Sequence, residues 1–217
     1  MNKNINVWDN YTSHLTGTTG TDITLLRRIA RGRVLDVGCG IGGHLARLNS
    51  ASIELRVGID PGFSGLIKGK RLFPDINFVN ASGYALPFQD QTFDLVICID
   101  VIEHVARPDE LLKEIYRVLR TGGTLFLQTP NYPAKRFFDI WHWLRGTRRT
   151  PADDPTHVTK LNAFRLTGLV RRAGFAVQLI KARNLPFEKY FPWIQRFKTY
   201  RVVFPFAQKI IVIGQKT

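Results

Sequence analysis

The chain has 217 residues, of which 44% are hydrophobic and 22% are charged, and its formal net charge is +14. This is the composition of an ordinary globular protein, and two cysteines in apolar stretches, Cys39 and Cys98, predict reduced core thiols rather than a disulfide framework. Because the N-terminal sequence is polar and no stretch approaches the roughly 18 apolar residues of a membrane span, we expect a cytoplasmic protein without a signal peptide.

Apolar runs bounded by turn residues predict a series of strands. The predicted strands span residues 33–37, 56–60, 76–80, 93–99, 124–129, 175–180 and 210–213. Apolar residues at helical spacing predict helices between these strands. The predicted helices span residues 22–31, 43–49, 63–72, 108–119 and 163–173. Strands that alternate with helices in this way predict an α/β fold with a doubly wound, mostly parallel sheet.

The ends of the predicted helices carry recognisable signals. Pro108 begins one helix, which has acidic residues in its first turn and is expected to stop at Gly122 and Gly123. Asp22 and Asn162 each precede a helix and are the expected N-cap residues, because their side chains can accept hydrogen bonds from the first helical turn.

The turn after the first predicted strand is the most informative part of the sequence. Gly38, Gly40 and Gly43 follow that strand, and glycines at such a turn let the backbone approach a ligand closely. Asp60 ends the second strand, where a carboxylate can bind both hydroxyls of a ribose, so the spacing also satisfies the dinucleotide-binding pattern GxGxxG. Asp36 favours a cationic ligand instead, because a carboxylate at that position would repel a pyrophosphate.

Four segments, in order along residues 34–131, resemble the motifs of class I S-adenosylmethionine-dependent methyltransferases. They are the glycine-rich LDVGCGIGGHL, the segment LPFQDQTFDLV, the segment DVIEHV after the fourth strand, and TPN after the fifth. Agreement of four motifs in the family's order identifies the chain as a member of this family. The resemblance implies a Rossmann-like, seven-stranded sheet with an antiparallel last strand, and S-adenosylmethionine as the cofactor.

The resemblance also implies which residues contact the cofactor. They are Asp36, Gly38 and Gly40 at the methionine part, Asp60 at the ribose hydroxyls, Pro61, Ser82 and Gly83 around the adenine, Asp100 and Val101 near the sulfonium, and Tyr11 with Trp8 in a segment that closes over the cofactor. Many relatives carry an aspartate where this chain has Ser82, so a hydroxyl meets the edge of the adenine here.

Methyl transfer mainly requires that the acceptor and the methyl group be aligned, and a base is needed only where the acceptor must lose a proton. His104 follows the fourth strand and either shapes the cofactor pocket or takes part in catalysis. His157 lies in a polar loop at the same edge of the sheet, either exposed without a role or in contact with the acceptor as a catalytic base. Glu103 and these histidines lack a strict metal-ligand spacing, so no metal site is predicted.

Two segments, near residues 134–160 and 183–209, exceed what the minimal fold requires and lie where relatives cover their substrates. They combine aromatic with basic residues, and residues 131–217 contain 17 basic and 4 acidic residues, against 14 and 13 in residues 1–130. An aromatic core within a lid would explain the rings but not the charge. Aromatic rings together with basic side chains suit an anionic membrane surface, a large lipid-like or anionic acceptor, or nucleic acid. Nucleic acid ranks third, because the sequence has no recognised RNA-binding module.

We therefore interpret residues 1–217 as a single methyltransferase domain. Its expected reaction is methyl transfer from S-adenosylmethionine to a small-molecule or lipid-like acceptor, such as a quinone precursor or a cell-envelope glycan intermediate. The alternatives are an RNA methyltransferase and a non-catalytic cofactor-binding module. The basic C-terminal part is expected to meet an anionic partner, and contact with an anionic membrane would make the protein peripheral at that surface.

Overall fold

The computed structural model describes residues 21–48, 51–146, 156–183 and 207–217, in which helices and strands alternate. The helices are α1 (Ile23–Ile29), α2 (Gly43–Ala46), α3 (Phe63–Leu72), α4 (Pro108–Val118), α5 (Tyr132–Leu144) and α6 (Ala163–Arg172). The strands are β1 (Gly32–Val37), β2 (Ile53–Asp60), β3 (Asn77–Asn80), β4 (Phe93–Ile99), β5 (Leu119–Pro130), β6 (Phe175–Arg183) and β7 (Lys209–Lys216). Both expected N-caps are present: the carboxylate of Asp22 accepts from the Leu25 amide, and the side chain of Asn162 accepts from the Arg165 amide.

The described strands form one seven-stranded sheet in the order β3-β2-β1-β4-β5-β7-β6. Neighbours from β3 to β5 are parallel, whereas β7 runs antiparallel to both β5 and β6. The strand order reverses between β1 and β4, and ligands of such sheets bind outside the carboxyl ends of the strands at this point. The predicted Rossmann-like, mostly parallel sheet with an antiparallel last strand is confirmed.

Apolar side chains cover both faces of the sheet. One cluster joins the sheet to α4 and α6, and the other joins it to α1 and α2. Strand β4 supplies both clusters alternately, with Val96 and Cys98 on one face and Leu95 and Ile97 on the other. This two-sided burial explains the near-continuous apolar sequence of β4. Cys98 and Cys39 are buried free thiols, as predicted.

The expected stop of α4 at Gly122 and Gly123 is wrong. The helix already ends at Val118, because Leu119 adopts an extended conformation while its amide donates to the Ile115 carbonyl. Strand β5 begins at once and carries both glycines within it. Glycine after an amphipathic helix often marks its C-cap, but here Gly122, with a positive φ of 77°, lies where the β4–β5 register is irregular.

Helix α5 was not predicted as a helix, although most of it lies in the expected substrate-cover segment near residues 134–160. Ala134 and Asp139 on α5 are buried, while Trp143 and Leu144 near its end are exposed. The amide of Tyr132, its first residue, donates to the Leu161 carbonyl and so attaches the start of the helix to the segment before α6. In the part of the chain that the structure describes, none of the helices combines the length and apolar character that a bilayer crossing demands.

Candidate active site

The glycine-rich turn after β1 lies at the carboxyl edge of the sheet. Gly38 has a φ of 74°, and a Cβ added to it would lie 2.3 Å from the Cγ2 atom of Val101. Only glycine therefore fits between the turn and the segment after β4. The amides of Gly38 and Cys39 donate to the Ile59 carbonyl at 2.8 and 2.9 Å, which fixes the turn against the end of β2.

Asp60, the predicted ribose ligand, also organises the backbone around it. Its carboxylate is only 4% exposed and accepts from the amides of Gly40, at 2.9 Å, and Gly62, at 2.7 Å. One side chain therefore links the glycine-rich turn to the loop after β2. A carboxylate oxygen can accept more than one hydrogen bond, so these contacts are compatible with additional bonds from ribose hydroxyls.

Asp36 lies beneath the glycine-rich turn with its charge poorly compensated. Its side chain is 1% exposed, and within the described segments its Oδ2 atom has no hydrogen-bond partner. The nearest imidazole nitrogen, Nδ1 of His44, is 3.8 Å from that oxygen. Burial, reinforced by the charge of Asp60, holds the pKa of Asp36 well above its usual range.

His44 also belongs to this site, although it is not among the candidate residues predicted from the sequence motifs. Its Nε2 atom lies 3.1 Å from the Thr21 hydroxyl, on the opposite side of the ring from Asp36. Burial lowers the pKa of His44 to about 4, with the charge of Asp100 opposing the shift and those of Lys209 and Arg47 adding to it. The imidazole is therefore neutral near pH 7 and does not compensate Asp36.

These features fit a cofactor with a cationic amino-acid part. A buried carboxylate oxygen without a partner is costly, and an ammonium or sulfonium nearby would offset that cost. The glycine at position 38 lets the turn pack closely against Val101 at the same edge of the sheet. Asp36, the turn and Asp60 are the residues that would hold S-adenosylmethionine here.

The segment after β4 carries a second charged pair at the same edge. Asp100 has an unusual positive φ of 53°, and its Oδ2 atom lies 2.5 Å from the Nζ atom of Lys209 at the start of β7. Its amide donates to the Gln128 carbonyl at 2.9 Å. Counting the described residues alone, the Oδ1 atom of Asp100 and both amide atoms of the buried Gln128 lack hydrogen-bond partners. Sequence reasoning placed Asp100 here but missed Lys209 and Gln128.

The residues assigned to the adenine lie in the loops after β2 and β3. Asn80 donates through its side-chain amide to the carbonyls of Asp60, at 2.9 Å, and Pro61, at 3.0 Å, and so joins the two loops. Ser82 is exposed, and its hydroxyl accepts from the Tyr84 amide at 3.3 Å. Gly83 follows it, in contact distance of Leu111. Tyr11 and Trp8, expected to close over the cofactor, lie outside the described residues.

The two candidate catalytic histidines lie together, although 53 positions separate them. The ring centroids of His104 and His157 are 4.7 Å apart in an edge-to-face arrangement. The Nδ1 atom of His104 lies 3.1 Å from the Thr156 carbonyl, and that of His157 lies 3.0 Å from the Tyr132 hydroxyl. Tyr132, the first residue of α5, is a residue of this site that the sequence analysis did not identify.

Glu103 completes this group. Its side chain is 1% exposed, its Oε2 atom accepts from the Thr129 hydroxyl at 2.8 Å, and one ligand atom from each of Glu103, His104 and His157 lies within 4.8 Å of the other two. Burial, followed by the charge of Asp100, raises the pKa of Glu103 to about 8. Since Val101 touches the glycine-rich turn and Glu103 is two residues later, the histidine cluster lies directly beside the cofactor side of the pocket.

Comparison with known proteins identifies relatives of this chain. A family model described as a methyltransferase domain matches residues 35–127. A Mycolicibacterium smegmatis protein named as a probable S-adenosylmethionine-dependent methyltransferase is 31% identical over 154 residues, which are 71% of this chain and 56% of that protein. The demethylmenaquinone methyltransferase of Renibacterium salmoninarum is 36% identical over 101 residues, covering 46% and 42%. The chain thus spans about half the length of these curated relatives.

Solved structures share the fold at low sequence identity. A chain in the complex between the Haloferax volcanii Trm112 methyltransferase activator and a methyltransferase has a TM-score of 0.67 at 20% identity, covering 98% of this chain and 93% of that one. An S-adenosylmethionine-dependent methyltransferase from Mesorhizobium loti has a TM-score of 0.65 at 17% identity, covering 89% and 96%. By its motifs, its domain match and its fold, the chain belongs to the class I S-adenosylmethionine-dependent methyltransferases.

Proposed function

We propose that this chain transfers a methyl group from S-adenosylmethionine to a lipid-like acceptor. The observation that carries the transfer itself is the poorly compensated Asp36 carboxylate beneath the turn at Gly38, because it suits a cationic donor and repels a pyrophosphate. When bound, the cofactor supplies a methyl group that is already activated by its attachment to a sulfonium. The residues of the chain then have to hold the acceptor in line with that methyl group and exclude water.

The loop that carries His157 supports an apolar acceptor. Val158, directly after it, is 59% exposed, and Phe164 in the first turn of α6 is 87% exposed. An exposed apolar side chain next to His157 suits an apolar ligand better than a hydrophilic metabolite. Relatives with apolar acceptors in their names include the demethylmenaquinone methyltransferase and the cycloartenol-C-24-methyltransferase 1 of Oryza sativa, which is 38% identical over 42% of this chain.

The histidine cluster is the proposed acceptor side of the pocket. An acceptor hydroxyl or amine must lose a proton during methylation, and an imidazole next to it can take that proton. His157 is the better candidate for contact with the acceptor, because it is less buried than His104 and is followed by the exposed Val158. His104 and Tyr132 would orient it.

The test is methyl transfer from an isotopically labelled donor to lipid extracts and to polar metabolites, assayed separately with the full chain. We expect label in an apolar product, and calorimetry is expected to detect binding of S-adenosylmethionine or its demethylated product but not of NAD. Tight NAD binding would contradict the cofactor assignment. Label confined to polar metabolites would contradict the lipid-like acceptor.

An RNA acceptor is the second candidate, and the basic composition of residues 131–217 is the observation that favours it. Cations that meet phosphates with aromatic rings that stack on bases would bind RNA. Bulk RNA added to the labelling assay distinguishes the two functions. Methylated RNA, or inhibition of lipid labelling by RNA at low salt, would favour this second candidate.

A further inference from the structure

Three potential metal ligands from two separate segments meet beside the carboxyl end of β4. Glu103 and His104 form the short helical turn after that strand, and His157 comes from the loop before α6. One ligand atom of each lies within 4.8 Å of the others. We propose that Glu103, His104 and His157 bind one divalent transition-metal ion. A role for this ion in methyl transfer rests on the proposed function, whereas binding of the ion to the three residues does not.

Hydrogen bonds outside the cluster orient both imidazoles. A carbonyl can only accept, so the Nδ1 atom of His104 donates to the Thr156 carbonyl, and in the neutral ring the Nε2 atom then carries the lone pair. The Nδ1 atom of His157 lies 3.0 Å from the Tyr132 hydroxyl oxygen, which is hydrogen-bond distance. Metal-bound histidines have such outer hydrogen bonds, because they fix the tautomer and the direction of the ligating nitrogen.

The carboxyl group of Glu103 is buried, and only one of its oxygens has a partner among the described residues. Thr129 donates to the Oε2 atom of Glu103, while the Oε1 atom is buried and, among the residues described, has no hydrogen-bond partner. The nearby ammonium of Lys209 is bonded to Asp100 instead. A divalent cation would supply the missing positive charge to a carboxylate that water does not reach.

Backbone contacts hold the two ligand-bearing segments in place. The amide of Thr159 donates to the Glu103 carbonyl at 2.9 Å, and its hydroxyl donates to the Val105 carbonyl at 2.7 Å. The Thr156 carbonyl, three residues earlier, accepts from His104. The loop with His157 is therefore attached to the turn with Glu103 and His104 at several points, so the three ligands are brought together by the fold rather than by the ion.

The distances and the ligand types indicate which ions fit. Ligands at the usual 2.0–2.2 Å from a tetrahedral ion lie about 3.3–3.6 Å apart, so atoms that are up to 4.8 Å apart must approach by roughly 1.2–1.5 Å, which side-chain rotation can supply. Two imidazoles with one carboxylate suit Zn²⁺ or Mn²⁺ better than Mg²⁺ or Ca²⁺, which prefer oxygen ligands. The ion would lie at the proposed acceptor side, where it could bind an acceptor oxygen and ease loss of its proton. It would then replace His157 as the group that promotes proton loss, because the lone pair of that imidazole would bind the metal.

The test is calorimetric titration of the full, metal-stripped chain with Zn²⁺ and with Mn²⁺. We expect one ion per chain for the wild type, at least tenfold weaker binding for Glu103→Gln and for His157→Ala, and a loss of about tenfold for Tyr132→Phe, which removes only the orienting hydroxyl. Glu110→Gln is the matched control, because that carboxylate is exposed and paired with Arg107 outside the cluster. It is expected to bind the ions like the wild type.

Binding of the demethylated cofactor verifies that each variant is folded. A folded wild type that takes up neither ion, or uptake that these three substitutions leave unchanged, would overturn the metal site. Methyl transfer by a chain that binds no ion would overturn the metal site and leave the proposed function intact. Metal uptake with the expected pattern, in a chain that methylates nothing, would support the site while contradicting the proposed function.

Discussion

His44 illustrates how a single half-buried side chain couples the stability of the cofactor site to pH. Its pKa of about 4 in the folded chain lies below the ordinary value of 6.5, chiefly because burial disfavours the imidazolium. Between these two values the unfolded chain binds a proton that the folded chain does not, so stability falls as the pH is lowered through this window. The loss is expected to reach about 3 kcal/mol near pH 4.

The measurement is urea-induced unfolding of the wild type and of His44→Gln at several pH values from 7 to 4. We expect the free energy of unfolding to fall less steeply for the variant over this range, since glutamine does not titrate. Carboxylates shared by the two proteins contribute equally to both curves. Parallel curves for the two proteins would contradict the low pKa of His44.

Asp60 is expected to affect both cofactor binding and the shape of the turn. Asp60→Ala should weaken binding of the demethylated cofactor by about 1–3 kcal/mol, because the ribose hydroxyls and the amides of Gly40 and Gly62 lose their acceptor. Calorimetry measures the change directly. Glu110→Gln, at an exposed position on α4, is the control and should bind like the wild type. Unchanged affinity in Asp60→Ala would remove this residue from the cofactor site.

His157 should separate the methyl-transfer step from cofactor binding. Its ring lies against His104, and its Nδ1 atom is 3.0 Å from the Tyr132 hydroxyl. His157→Ala should therefore lower turnover by roughly 10²-fold, as expected for loss of proton removal, while the affinity for the cofactor stays nearly the same. Turnover equal to that of the wild type would show that His157 only packs against its neighbours and has no part in methyl transfer.

At the scale of single residues, the sequence predicts well the site residues that belong to one motif. It predicts poorly the contacts between residues that are far apart in the chain. Asp36, the glycines and Asp60 belong to one strand–turn–helix unit and its neighbour, so their positions follow from the motif. Lys209 pairs with Asp100 across 109 positions, and Tyr132 meets His157 through the start of an unpredicted helix. Such pairs depend on how distant segments are placed in the sheet, and the spacing of residues within one segment does not indicate that placement.

Among the elements, α6 depends on a side-chain cap that can be tested by itself. The Oδ1 atom of Asn162 accepts from the Arg165 amide at 2.9 Å and so satisfies a donor in the first helical turn. Asn162→Ala should lower the free energy of unfolding by about 1 kcal/mol, whereas Asn162→Gly should cost only a few tenths. Urea unfolding of both variants provides the comparison. If both variants lose the same free energy of unfolding, the effect of Asn162→Ala does not differ from that of Asn162→Gly, and the expected difference between the two cap substitutions is contradicted.

Helices and strands were predictable where one pattern dominated. Helix α3 and strand β4 have the predicted bounds, because regular apolar spacing and clear turn residues define them. Strand β5 begins five residues before the predicted strand, since glycine was interpreted as a helix stop and pairing with β4 instead extends the backbone there. Helix α5 was missed because rings and cations occur all around its sequence and obscure a single apolar stripe.

For the whole molecule, the unequal distribution of charge predicts reversible attachment to anionic membranes. Residues 131–217 have 13 more basic than acidic residues, and each Lys or Arg near an anionic leaflet contributes about 1 kcal/mol, screened over a Debye length of roughly 8 Å. We expect the full chain to sediment with vesicles that contain anionic lipids at low salt, and less so at high salt. Part of the basic sequence lies outside the described residues.

Neutral vesicles are the control for this experiment and should bind the chain weakly. Equal, negligible binding to neutral and anionic vesicles at low salt would contradict membrane attachment. RNA binding with a comparable dependence on salt, measured in the same buffers, would then assign the basic surface to nucleic acid.

The placement of β7 also governs how the chain can fold while it is being synthesised. Although β7 is the last strand in sequence, it lies between β5 and β6, so neither neighbour can complete its hydrogen bonds until residues through Lys216 have left the ribosome. β1 to β5 can pair earlier, whereas β6 must wait beside an open position in the sheet. Because Lys209 begins this strand, Asp100 gains its ammonium partner at the same late stage. The site at the edge of the sheet therefore takes its final form only after β7 has paired with β5 and β6.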